Sequence, residues 1–460
     1  WDGVLESDAS FRRFYKLDNI LQTDRVNSVH LIGQSERNYF AMTGYHFGGL
    51  LLNDTANSES RVHPVVDWRY VMGQPVLGGE LGWNFNALSF SRDLSFTDAN
   101  ATLRESDSSI TRAAVDVTWR RRLIDGLGQV FTPFANVRGD VTQFKDTVDP
   151  TTRLLIEDDT VTRGVAAAGL LYSYPFAARS SSGTHVLEPL GQAIARTAKV
   201  SQRKMPDEDA RSLVFDDTNL FELSKFSGYD RVETGSRINA GLQYTFQANS
   251  GGSIRLLAGQ SHHVSGDNAY ADPGRDADNK FIFSPRSGLE SSRSDYVLGA
   301  YVAPTSVFRA ITQARFDDGG LGLKRADVFA DFAYGPISLQ GLYSYTRFDP
   351  LLFAGSALTN DQQELQAAVS LRLTDRWSLV GSMRYDIDER FRLQDSLQLR
   401  YADECFVLST TYTETFVNDP KNDIVPDRSI MVRFELKYLG AYNYKTDTLT
   451  HFFAENQPAR

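Results

Sequence analysis

Apolar and polar residues alternate one by one along most of this chain. In Arg237–Ala248, the positions Ile238, Ala240, Leu242, Tyr244 and Phe246 fall on one side and Asn239, Gly241, Gln243, Thr245 and Gln247 on the other. A period of two is the mark of a strand with one apolar and one polar face. The same alternation recurs from Trp1–Ser7 through Asn27–Gly33, Leu365–Leu373 and Trp377–Tyr385 to Ile430–Tyr438. It predicts roughly twenty strands, and no stretch carries a helical period.

The connectors sort into two kinds, which alternate. Short ones lie at Gln34–Glu36, Met72–Leu77, Asp125–Gly128, Arg179–Gly183 and Ala402–Glu404. Long ones lie at Asp8–Val26, Arg92–Ser109, Phe144–Val161, Val200–Thr234 and Val264–Ser294. Tight turns at one end and long loops at the other characterise outer-membrane barrels, whereas a Greek-key sandwich has no reason to keep such parity. The predicted fold is therefore all-β, a large antiparallel transmembrane β-barrel. Its apolar faces then meet lipid and its polar faces a lumen. Tyrosines and tryptophans near strand ends (Trp68, Tyr70, Trp83, Trp119, Trp377, Tyr401) fit an aromatic girdle. Pro64, Pro133, Pro175 and Pro189 remove ladder donors and are expected at bulges or strand ends.

Composition narrows the class. The chain has 460 residues, 23% of them charged, and a net charge of -10. That balance argues against a nucleic-acid binder, which needs a basic face. No segment has the roughly 18 consecutive apolar residues of a spanning helix, a test that barrels evade by alternation. A single cysteine, Cys405, excludes an internal disulfide framework. Trp1 opens in mid-strand without a methionine, so the chain is expected to be N-terminally truncated. The barrel is expected over residues 1–445 and a periplasmic tail over 446–460.

Candidate chemistry is sparse. His262 and His263 point to opposite faces of a strand, poor geometry for one metal. The acidic loop Gly266–Lys280 lacks the spacing of a calcium loop. Asp216-Asp217 has no matching acid, base or nucleophile nearby. No enzyme, cofactor or metal site is expected. The lumen-side residues carry both signs of charge, which suits either a porin or a conduit for a large amphiphile. A barrel above the porin size needs a plug.

The most distinctive stretch precedes the strand described first. Asn219-Leu220-Phe221, then Lys225-Phe226-Ser227-Gly228-Tyr229-Asp230-Arg231, then Arg237 to Leu242, resemble the signature region of the LPS-assembly outer-membrane proteins, the LptD family. Tyr70 to Gly79, Leu127 to Pro133 and His185 to Pro189 are similar too, and the resemblance runs to about Tyr444. It implies a barrel of about 26 strands, of which about twenty are visible here. It also implies lipopolysaccharide as cargo, the Gram-negative outer membrane as location, an LptE-type plug lipoprotein, and a periplasmic transport bridge reached through an upstream jellyroll. By the same resemblance Ile430, Val432, Phe434, Leu436 and Tyr438 belong to the last strand, one lip of a lateral gate. Cys405 falls where the family often has two cysteines, which makes it a candidate for an inter-domain disulfide; a free buried thiol is the other reading. Asn219, Leu220, Phe221, Phe226, Ser227, Gly228, Asp230 and Arg231 form the signature loop, expected to fold into the barrel mouth with its aromatics inside. The alternative function is a general or substrate-specific porin.

Overall fold

The computed structural model describes residues 24–49, 59–97, 103–148, 155–202, 205, 207–210, 213–271, 286–347, 361–418 and 425–437. Strands among these are β1 (Asp24–Ser35), β2 (Asn38–Gly49), β3 (Arg61–Val71), β4 (Glu80–Thr97), β5 (Leu103–Arg120), β6 (Leu123–Ile124) and β7 (Val130–Val148). Next come β8 (Leu155–Ser173), β9 (Phe176–Arg179), β10 (Gly183–Arg196), β11 (Ser236–Ala248), β12 (Ser253–Ser265), β13 (Tyr296–Thr305) and β14 (Phe308–Phe316). The run closes with β15 (Leu323–Tyr334), β16 (Ile337–Thr346), β17 (Gln362–Arg372), β18 (Trp377–Asp386), β19 (Phe391–Ala402), β20 (Phe406–Thr415) and β21 (Asp427–Leu436). No helix occurs among the described residues.

Every pairing is antiparallel and follows chain order, in a single sheet. The short β6 continues β5 along β7, and β9 continues β8 along β10. Nineteen of the predicted segments appear as these crossing strands, and Trp1–Ser7 lies outside the described residues. Among the described strands β1 pairs with β2 and β21 with β20.

The exposure pattern answers which face meets lipid. Val137, Ile238, Leu242, Val369 and Leu397 are exposed, while Arg112, Asp140, Thr142, Arg163 and Asn239 are buried. This inverts a soluble protein. Each large aliphatic side chain held in water forfeits about 1.5–3 kcal/mol, so a continuous outer band of them needs a lipid cover. The fold is that of an outer-membrane β-barrel.

The ladder departs from the expected connectors at two hairpins. Arg92–Ser109 and Phe144–Val161 are largely strand: β4 and β5 stay paired out to Thr97 and Leu103, and β7 and β8 out to Val148 and Leu155. The backbone ladder runs past the height at which lipid demands an apolar face. Alternation therefore lapses before pairing does.

The prolines sit where their missing donors do least harm. Pro64 falls inside the register shift between Val62 and Val65. Pro175 separates β8 from β9, and Pro189 lies opposite, accepting from Tyr174 N–H at 3.2 Å. Pro133 faces the break between β5 and β6, where Arg121 N–H donates to its carbonyl at 3.1 Å.

Candidate functional site

Between β10 and β11 the chain leaves the sheet for the signature stretch. It is irregular, yet much of it is buried. Leu213, Phe215, Leu220 and Phe226 join Ala210, Tyr270, Leu289 and Val297 in one apolar cluster, with Phe221 at its margin. The rings of Phe226 and Tyr270 lie 4.6 Å apart. Gly259 on β12 makes the seat: a side chain there would run into Leu220. Met205 lodges against Phe90, Ile110 and Phe144 of β4, β5 and β7, and Leu223 against Phe134, Ala167 and Ile194 of β7, β8 and β10.

The same loop touches both flanks of the sheet. Asp209 pairs with Arg112 on β5 at 2.8 Å, while its neighbour Ala210 shares the cluster with Val297 on β13. Across a flat sheet β5 and β13 would stand about 29 Å apart, at about 4.8 Å per strand. The sheet therefore curves around the loop, which occupies its interior.

Polar contacts fix the loop more specifically than the apolar ones. An inward arginine that reaches the loop stands on each of β5, β7, β8, β10 and β11: Arg112, Arg138, Arg163, Arg196 and Arg237. Arg112 binds Asp230, Asp209 and, at 2.8 Å, the side-chain Oδ1 of Asn86. Arg138 donates to the Tyr229 carbonyl, with its guanidinium 5.2 Å from the Tyr229 ring centroid. Arg163 donates to the carbonyls of Asp230 (2.6 Å) and Tyr229 (3.0 Å) and is anchored by Asp140 at 2.7 Å. Arg196 donates to the Leu223 carbonyl at 2.5 Å, and Arg237 sits 3.0 Å from Glu233. Ionised groups at this depth give little net stability as intact pairs, but losing one partner is costly.

Within the loop the carboxylates hold the backbone. Asp230 accepts the amides of Glu208 (2.7 Å) and Asp209 (3.1 Å). Asp209 accepts those of Tyr229 (3.0 Å) and Asp230 (2.9 Å). Gly228 permits this, since a Cβ there would collide with the Asp209 carboxylate. Arg231 donates to the carbonyls of Gln202 (3.0 Å) and Met205 (2.9 Å) and pairs with Asp207. Burial, and then the Asp209 charge, push Asp230 upward. Burial also raises Asp209, but Arg112 and the two amides more than offset it and hold Asp209 below the ordinary range. Burial pushes Asp207 up to about 6 despite Arg231. The carboxylates of Asp207, Asp209 and Asp230 lie within 4.8 Å of one another. Each already has a cationic partner, Arg112 for Asp209 and Asp230 and Arg231 for Asp207, so the donor set does not call for a metal ion.

The remaining signature residues are structural. Asn219 closes a turn by donating to the Val214 carbonyl (2.6 Å) and accepting Asp216 N–H (3.1 Å). Ser227 is exposed and donates to the Asp209 carbonyl at 3.3 Å. Asp216 and Asp217 diverge: Asp216 caps Thr218, whereas Asp217 accepts from Tyr301 (2.9 Å) and Gln313 (3.2 Å). His262 and His263 do not converge either; His263 packs beside Gly235. Most of Gly266–Lys280 lies outside the described residues.

Far from this loop, β21 alternates in exposure along its length, with Ile430 72%, Val432 64% and Phe434 58% exposed and Leu436 on the same face. Tyr438 lies outside the described residues. Cys405 sits in the tight turn between β19 and β20 and is exposed, which removes the buried-thiol reading. Apart from Arg237, which opens the last signature element, the wall arginines and Asp207 and Asp209 belong to no motif in the sequence. The arginines' signal is basic residues recurring at inward-facing positions of consecutive strands.

A family model described as LPS transport system D matches residues 4–351. The LPS-assembly protein LptD of Acinetobacter baumannii is 24% identical over 259 residues, covering 54% of this chain and 29% of its own length. Its namesake from Saccharophagus degradans is 21% identical over 307 residues, covering 63% of this chain and 34% of its own length. The chain thus spans about a third of the length of the curated relatives it matches. Among solved structures, the siderophore receptor PirA from Pseudomonas aeruginosa is similar with a TM-score of 0.44 and 10% identity, over 89% of this chain and 70% of that one. The FrpB iron transporter from Neisseria meningitidis gives 0.42 and 8%, over 91% and 73%. With a family match across most of its length, this chain belongs to the LptD family and is a β-barrel portion of a Gram-negative outer-membrane protein.

Proposed function

We propose that this barrel delivers lipopolysaccharide into the outer leaflet through a seam beside β21. The observation that supports the reading is β21 itself, the last strand among the described residues, whose outward face is apolar and whose other face is polar. An amphiphile leaving a barrel sideways keeps its sugars in the polar lumen and its acyl chains in lipid. Only an unpaired or weakly paired seam allows that, because a closed ladder leaves no gap. The loop lodged against β4–β14 supports the same reading, since it obstructs the straight path that a diffusion porin requires. An LptE-type lipoprotein fills the remaining lumen in this proposal. An upstream jellyroll receives cargo from the periplasmic bridge, and Cys405, exposed at the tight-turn end, forms a disulfide with that domain. Residues 1–445 act as the barrel and 446–460 as a periplasmic tail. The protein performs no covalent chemistry.

The test places photo-crosslinking residues at Ile430, Val432, Phe434 and Leu436 in the full-length protein in cells. Lipopolysaccharide capture should concentrate there. Equal capture at Val369 on β17 would sink the gate.

A further inference from the structure

We infer that the loop encloses a binding site for a chloride-sized inorganic anion, held by Lys225 and Arg237. Three buried cationic side chains from separate elements surround one carboxylate: Arg196 at the end of β10, Lys225 in the loop and Arg237 at the start of β11, around Glu233. Glu233 carries one charge against the three cations around it. Its Oε2 accepts the Tyr270 hydroxyl (2.7 Å) and the Lys225 amide (3.3 Å). Its Oε1 lies 3.0 Å from Arg237 Nε and 3.4 Å from Arg196 Nη1.

What remains is positive and unmet. Lys225 Nζ is shut off from solvent and has no hydrogen-bond partner, and the same is true of Arg237 Nη1. Arg237 Nη2 is committed to Asn268 Oδ1 at 2.6 Å. Among the described residues, the other charged or titratable neighbours do not supply the missing acceptor. Glu222 is exposed, Asp267 pairs with Lys199 at 3.4 Å, and His263 Nε2 is itself unpartnered. Burial pushes the Lys225 ammonium down to about 8, which still leaves it charged at neutral pH.

Two excess buried charges and two donors without acceptors call for an anion. A water molecule would accept the bonds but leave the charge. The donors' enclosure favours a bare spherical ion over phosphate or a carboxylic acid. Such an ion would fasten the Lys225–Arg237 segment to the wall at a point separate from the Asp230 contacts.

The experiment uses the full-length protein with its native partners in detergent. Crystals grown in bromide should show an anomalous peak in contact with Lys225 Nζ and Arg237. Exchange of the amides at 225–237 should slow about tenfold in bromide or chloride, relative to gluconate at equal ionic strength, once the halide is about ten times its dissociation constant. Lys225→Met should abolish both the peak and the halide effect while keeping the loop docked in gluconate. Lys225→Gln serves if the methionine variant fails to assemble. Water density without anomalous signal, bromide at surface sites only, or an equal halide effect in wild type and variant would each overturn the proposal.

Discussion

Arg112→Met isolates the contact on which the loop most depends. Arg112 is 1% exposed, and among the described residues its guanidinium is the one cation that touches both Asp209 and Asp230. Methionine keeps most of the side-chain volume and removes the charge. Buried Asp230 and half-buried Asp209 are then left facing each other, and removing one partner of a buried ion pair costs about 3–5 kcal/mol. Because burial and Asp209 already push Asp230 upward, the two can share a proton once Arg112 is gone, which holds the loss toward the lower figure. At about 1.4 kcal/mol per decade, local opening becomes roughly 150-fold more frequent, and at most about 5,000-fold. The readout is native-state hydrogen exchange at the amides of Glu208, Asp209, Tyr229 and Asp230, which these carboxylates hold. Arg120→Met on the same strand is the control. Its guanidinium is 61% exposed and pairs with Glu80 at 2.8 Å, so its loss costs about 0–1 kcal/mol and leaves the loop amides unchanged. Adding Asp230→Asn to Arg112→Met should restore part of the protection. Unchanged exchange in Arg112→Met, or an equal loss in Arg120→Met, would refute the assignment.

Three further expectations use independent contacts. Asp207, pushed up to about 6, takes a proton in the docked loop before it would in a released one. Its penalty is full above pH 6 and is relieved as pH falls toward 3.8, so loop protection should rise between pH 7 and pH 5. Glu233, where Lys225, Arg196 and Arg237 outweigh burial and hold it down to about 2, contributes fully above 4.5 and loses that below. Protection, corrected for the intrinsic exchange rate at each pH, should therefore peak near pH 5, with a smaller rise from pH 7 in Asp207→Asn; a steady fall in protection from pH 7 to 5 would contradict this. Gly299→Ala drives a methyl into the buried Asp217 carboxylate, which should cost about 1–3 kcal/mol and speed exchange at 215–221, and wild-type rates there would contradict the packing. Cys405→Ser in the full-length protein should change migration on non-reducing gels, and identical migration would exclude a disulfide at that position.

The alternation by itself determined a great deal. A period of two is a property of adjacent residues, so strand identity, the apolar outer face and the grouping of turns at one end were legible without any long-range information. Proline positions likewise marked the bulges, because a missing donor acts locally. The signature loop's aromatics announced burial, though not against what. Only the tertiary structure decided the partners. Arg112 and Arg120 share a strand and a face, yet one is buried against Asp230 and the other pairs with exposed Glu80. Register and height in the barrel separate them, and neither is encoded in a local period. The contact between Arg112 and Asp230 spans 118 residues of sequence, so it exists only because the sheet curves and brings wall and loop together. The excess positive charge around Glu233 is of the same kind. Each of Arg196, Lys225 and Arg237 reads as an ordinary basic residue until the fold removes water from all three at once.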